Sequence, residues 1–161
     1  MFNDTQEHII YILPQKPLLF VVTIKQSLRY DGKIDAFDLN GYFFDKRTGN
    51  IFIKKPAVNM YCDAVYDDKE AFLRNIHIMD FIVSDIWQNQ GYGSVVMEQL
   101  IKYAKHLNVS YISGELSFVD IGTSDDDETK RESRERLYHF YPKFGFAINK
   151  AERKIRLDLA K

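Results

Sequence analysis

The chain has 161 residues, of which 45% are hydrophobic and 28% charged, sufficient to bury a core within one domain covering residues 1–161. A formal net charge of −1 excludes an overall electrostatic pull toward nucleic acid or an anionic membrane surface. The single cysteine, Cys62, permits no internal disulfide. The longest apolar run, Pro17 to Ile24, is far shorter than the roughly 20 residues a spanning helix needs. With no basic leader at the start, a cytoplasmic setting without membrane or nucleic-acid partners is expected.

Residues 17–26 read as a buried strand, and Asp31-Gly32 as a turn. A second strand is expected over 34–44, interrupted near Asn40-Gly41. Residues 46–50 read as a loop and Ile51-Phe52-Ile53 as the start of a third strand, giving an antiparallel hairpin. Residues 57–73 have no clear assignment beyond a polar bend at 67–70. Residues 76–83 begin as an alternating strand and end as a continuous apolar run, as if both faces become buried. A helix is expected over 92–107, with Val96, Leu100, Tyr103, Ala104 and Leu107 on one stripe and Glu98, Gln99, Lys102 and Lys105 facing away. A strand follows at 109–118. The charged stretch 120–136 reads as an acidic loop entering a helix, with Leu137, Phe140, Tyr141 and Phe144 as its apolar face and Gly145 ending it. Short strands near 146–149 and 153–159 close the chain. This order gives an α+β (mixed α/β) fold, a mostly antiparallel sheet flanked by helices with one parallel strand–helix–strand unit.

The segment with chemical content is Gln88-Asn89-Gln90-Gly91-Tyr92-Gly93-Ser94, where a strand end leads through a short loop into the 92–107 helix. Glycine lets backbone N–H groups approach a ligand closely, and the positive end of the helix dipole then faces an anion such as a pyrophosphate. The plain alternative is that the glycines only relieve crowding at a tight turn. A nucleoside-triphosphate loop would need Lys and then Ser or Thr after its last glycine, and no Lys stands after Gly93. A dinucleotide site would need a third glycine where Val96 stands, and a second half for which the chain has no room. No paired cysteines or His-Glu-x-x-His occur, so no metal is expected. Asp125-Asp126-Asp127 lacks the spacing of a calcium loop.

The pattern Gln88-x-x-Gly91-x-Gly93, shortly after a strand ending in Val83, resembles the acyl-CoA signature of the GNAT family of N-acetyltransferases. Phe140-Tyr141-Pro142-Lys143-Phe144-Gly145-Phe146 resembles that family's helix ending in Phe-Tyr-x-x-x-Gly-Phe. The resemblance covers residues 74–160, with a longer charged insert between the two motifs. It implies a splayed sheet in which the strands at 76–83 and 109–118 part like a V. Acetyl-CoA would be the co-substrate. Its pantetheine arm would lie against the backbone of Phe81, Ile82 and Val83, and its pyrophosphate on amides of Asn89, Gln90, Gly91, Tyr92, Gly93 and Ser94, with Gln88 at the loop entry.

The implied reaction is direct transfer of an acetyl group to a primary amine on a small molecule or a protein. Tyr141 matches the family tyrosine that protonates the leaving thiolate, with Tyr138 as its alternative. Glu115 is the candidate base, with Asp80, His77, His139 or water in its place. Arg134 stands where the family often has Asn, and would contact the cofactor's phosphates. A non-catalytic acyl-CoA-binding or protein-interaction module on the same fold is the competing reading. Aromatic richness allows a homodimer.

Overall fold

The computed structural model describes residues 6–14, 18–45, 47–48, 55–69, 72–116 and 127–159. These form an eight-stranded sheet with two helices. The strands are β1 (Glu7–Pro14), β2 (Leu18–Leu28), β3 (Ile34–Asp45), β4 (Val58–Tyr66), β5 (Leu73–Val83), β6 (Tyr111–Glu115), β7 (Ala147–Asn149) and β8 (Lys154–Asp158). Helix α1 covers Tyr92–His106 and α2 covers Asp127–Phe140. The strand order is β1-β2-β3-β4-β5-β6-β8-β7. Every neighbouring pair is antiparallel except β5 and β6. Helix α1 connects those two, as a parallel crossover requires.

Phe20, Val22, Phe37, Leu39, Val58, Met60, Cys62, Ile76 and Ile112 join Val96, Met97, Leu100 and Ala104 of α1 in one buried cluster. Gly41 of β3 makes room for this packing, since a Cβ there would come within 2.3 Å of Phe20 Cζ. The glycine lies inside an unbroken β3, so the interruption expected near Asn40-Gly41 is absent: the missing side chain serves the ring beside it, not a turn.

Several expectations are revised. Residues 57–73, unassigned from sequence, contain β4, which pairs with β3 from Gly41↔Val58 to Ala36↔Asp63. The hairpin partner expected at 51–53 lies outside the described residues, as do the acidic residues 125–126 and the end of the strand expected to reach 118. The edge strand β1 went unread. Gln99 is 6% exposed, and Tyr92, Gly93, Val96, Met97, Leu100 and Ala104 are buried with it. These positions span an arc just under half of the helix circumference, so the buried stripe is wider than expected and takes in Gln99 at its margin.

The end of β5 is not buried on both faces either: Met79 is 50% and Ile82 58% exposed. Cys62 pairs with Ile78 and Tyr61 with Asp80, so Met79 is an extra residue, a β-bulge. Ile76 and Ile78 point inward before the bulge. Beyond it the alternation resumes one position late, with Phe81 and Val83 packed against the core. The strand end looks continuously apolar because the exposed Ile82 stands between them.

Candidate functional site

Strands β5 and β6 pair only from Asn75↔Tyr111 to Ile78↔Gly114. β5 then runs on to Val83 while β6 stops at Glu115. The two strands therefore part at Ile78 and Gly114, and the backbone of residues 79–83 has no strand partner on the β6 side among the described residues. A cleft of about 800 Å³ opens there. Its walls include β5 from Ile78 to Val83, the loop and first turn of α1, Glu115 and Leu116 after the split, and the end of α2 with Tyr141. Phe81 on β5 faces Phe140 of α2 with ring centroids 5.5 Å apart, joining the two walls.

The loop between β5 and α1 is held from below. Phe43 stacks on Trp87 at 4.3 Å and meets Tyr92 edge-on at 4.9 Å, and Phe20 lies 4.8 Å from Tyr92. Aromatic pairs of this kind contribute about 0.5–1.5 kcal/mol each beyond burial. Trp87 and Tyr92 thus pack under the loop and also line the cleft. The Gln88 side-chain amide donates to the Val83 carbonyl at 3.1 Å, tying the loop to the strand end.

The two glycines serve different purposes. Gly91 is the N-cap of α1 at φ 88°, in the left-handed region, with open space where a Cβ would stand. It is chosen for its backbone. At Gly93 a Cβ would lie 3.2 Å from Val83 Cγ2 and 3.4 Å from Phe81 Cζ. It is chosen for the close approach of helix to strand. No side chain caps α1, and its first turn holds no acidic residue. The amides of Gly93 and Ser94 in that turn have no acceptor within the helix. They lie in the cleft wall with the positive end of the helix dipole, an arrangement suited to an anion.

Tyr141 is 5% exposed. Its ring meets Phe140 at 5.2 Å and Phe146 at 5.5 Å, both near edge-on. It still forms part of the cleft wall. Burial, with a smaller contribution from the Cys62 sulfur, pushes its phenol well above the usual value, so it is a proton-bearing group at neutral pH. Gly145, at φ 95°, closes the 3₁₀ turn Tyr141–Phe144 that carries this residue. Tyr138 is turned elsewhere, under the Lys150 ammonium at 4.4 Å from its ring centroid.

Glu115 is exposed at the end of β6, on the cleft rim with Asp80 and His139. His77 does not line the cleft; its Nδ1 is 2.8 Å from Ser113 Oγ. Arg134 belongs to α2, and its side chain lies outside what is described. Sequence reasoning missed two cations. Arg136 Nη1 donates to Gln88 Oε1 at 3.3 Å, and Lys143 Nζ donates to Ser94 Oγ at 3.3 Å. Both lie in sequence far from the loop they touch, and no local pattern marks them. No group of three or more His, Cys, Asp or Glu among the described residues is arranged to hold a metal ion.

The sheet split thus places the unpaired edge of β5 and the uncapped first turn of α1 in one cleft. The chain matches the family described as the acetyltransferase (GNAT) family over residues 61–146, and it belongs to that family. It is similar in fold to the acetyltransferase of the GNAT family from Staphylococcus aureus Mu50, with 12% identity, a TM-score of 0.51, and 78% of this chain and 69% of the other covered. It is also similar to a chain of the NatC complex bound to Gag peptide and CoA, with 16% identity, a TM-score of 0.51, and 76% and 71% covered. Nourseothricin acetyltransferase, at 13% identity and a TM-score of 0.50, is matched over 98% of this chain and 86% of its own. No curated protein matches the sequence.

Proposed function

We propose that this protein is an N-acetyltransferase that moves an acetyl group from acetyl-CoA directly to a primary amine. The observation that carries the reading is the parting of β5 and β6 at Ile78 and Gly114, in a cleft shared with the uncapped N-terminus of α1. The free edge at Phe81, Ile82 and Val83 would take the amide-bearing pantetheine arm as an added strand would. The loop Gln88–Ser94 would take the diphosphate on its amides.

Within that arrangement, the amine nitrogen attacks the thioester carbonyl carbon and the C–S bond breaks. Glu115 accepts a proton from the attacking amine, and with Asp80 on the same rim it favours approach of a cationic acceptor. A backbone N–H near Val83 would stabilise the oxyanion. Tyr141 gives its proton to the departing sulfur. The similar structures include the NatC complex bound to Gag peptide and CoA, and nourseothricin acetyltransferase; a peptide or a small-molecule amine fits this reading.

One feature favours a non-catalytic acyl-CoA-binding role: Tyr141 is packed between Phe140 and Phe146 as a core ring would be. Calorimetric titration with acetyl-CoA, with NAD as control, followed by free-thiol release against a panel of amines, separates the cases. Saturable micromolar binding of acetyl-CoA and amine-dependent thiol release are expected. Binding without release from any amine would support the non-catalytic role. No binding of acetyl-CoA would end both readings.

A further inference from the structure

Three positive features meet at the start of α1. The helix dipole presents its positive end there, with no acidic residue in the first turn to offset it. Lys143, from the 3₁₀ turn after α2, places its ammonium 3.3 Å from Ser94 Oγ in that same turn. Arg136, about two helical turns before Lys143, reaches Gln88 Oε1 at the loop entry at 3.3 Å. A cation is normally favoured at a helix C-terminus and disfavoured at the N-terminus, so Lys143 stands against the usual preference.

Lys143 has little to hold it there otherwise. Its ammonium lies 5.1 Å from the Phe140 ring centroid and 5.7 Å from that of Phe144. The carboxylates of Asp80, Glu115 and Glu135 line the same cleft, yet none forms an ion pair with Lys143. The rings orient the side chain, and a hydroxyl is a weak partner for a full charge. A bound anion would relieve the crowding of like charge.

We infer that Lys143 and Arg136 form a two-cation clasp that closes over the phosphates of the acyl carrier from the α2 side of the cleft, opposite the α1 amides. The inference rests on the reading of the cleft as an acetyl-CoA site and adds what selects the carrier: its diphosphate-bearing nucleotide portion. Lys143 takes the phosphates nearest Ser94, and Arg136 those nearer Gln88. Because both cations are exposed, their contribution is screened by salt.

The test is calorimetric titration of the full chain with coenzyme A at low and high salt, for wild type, Lys143→Gln, Arg136→Gln and the control Lys105→Gln. Lys105 stands in the last turn of α1, away from the loop. Each clasp variant should weaken coenzyme A binding by about tenfold at low salt and flatten its salt dependence, while Lys105→Gln changes neither. Without ligand, the melting temperature of Lys143→Gln should hold or rise, since like charges are relieved. Wild-type affinity in Lys143→Gln would overturn the clasp and leave the acetyl-CoA site standing. Weaker binding together with a lower ligand-free melting temperature would assign Lys143 a structural role and also overturn it. Failure of the wild type to bind coenzyme A would remove the underlying reading itself.

Discussion

Gly93 lies against Val83 so closely that a Cβ at position 93 would stand 3.2 Å from Val83 Cγ2. This contact sets how near the first turn of α1 comes to the free edge of β5. Gly93→Ala should push helix and strand apart by a few tenths of an ångström and weaken acetyl-CoA binding several-fold. Val83→Ala in the same chain removes the opposing methyl and should recover most of the loss. A double-mutant cycle read by calorimetry checks this, with a coupling of about 0.5–3 kcal/mol expected. Additive effects would show that the contact does not govern the site.

Gly91 acts through its backbone instead. Gly91→Ala meets no neighbour, but it must hold φ 88°. The strain should cost about 1–2 kcal/mol, seen as a melting temperature lower by about 2–4 °C per kcal/mol for a chain of this size. No relief by Val83→Ala is expected, because no side-chain clash is involved.

Tyr141 is proposed to protonate the leaving thiolate. Tyr141→Phe keeps the ring and its contacts with Phe140 and Phe146 while removing the proton. Acetyl transfer to a working amine should fall by roughly 10²-fold, with acetyl-CoA affinity preserved. A variant that transfers at the wild-type rate would return Tyr141 to a packing role.

The same phenol predicts an alkaline effect on stability. Burial raises its folded-state value above the ordinary 10.0, so the folded protein holds this proton more tightly than the unfolded chain. The associated stability is present in full below pH about 10 and is lost as pH rises further. Tyr42, Tyr61, Tyr66 and Tyr103 are shifted in the same direction, as is Cys62 from its ordinary 9.0, so the whole protein should lose stability as pH rises from about 9 upward. Tyr141→Phe should show a shallower fall. Thermal melts from pH 8 to 11 measure it.

Glu115 is exposed on the rim, so Glu115→Gln should change stability by no more than about 0.5 kcal/mol. If it receives the amine proton, transfer should drop by roughly 10²-fold with acetyl-CoA affinity unchanged. An unaltered rate would pass the role to Asp80 or to water, and Asp80→Asn distinguishes those two.

The sequence was legible where local rules act alone. The period of α1, the glycine loop at its start and the Phe-Tyr-x-x-x-Gly-Phe turn all depend on near neighbours, and each stands where residue order placed it. The split between β5 and β6 was implied only through family resemblance. The bulge at Met79 was hidden because an extra residue in one strand is defined only by its pairing with β4, and the exposed Ile82 between Phe81 and Val83 makes the strand end look apolar on both faces. β4 is legible by the same local rule, since Val58, Met60 and Cys62 alternate inward with Asn59, Tyr61 and Asp63 between them. Arg136 and Lys143 could not be assigned to the loop, since α2 lies far along the chain and only folding brings it across the cleft. Residue order determined which segments become helix, strand and glycine loop, because capping, glycine conformation and hydrophobic period are short-range. The opening of the cleft, the burial of Tyr141 and the cations facing Ser94 and Gln88 were decided by tertiary structure, because each is a relation between segments distant in sequence.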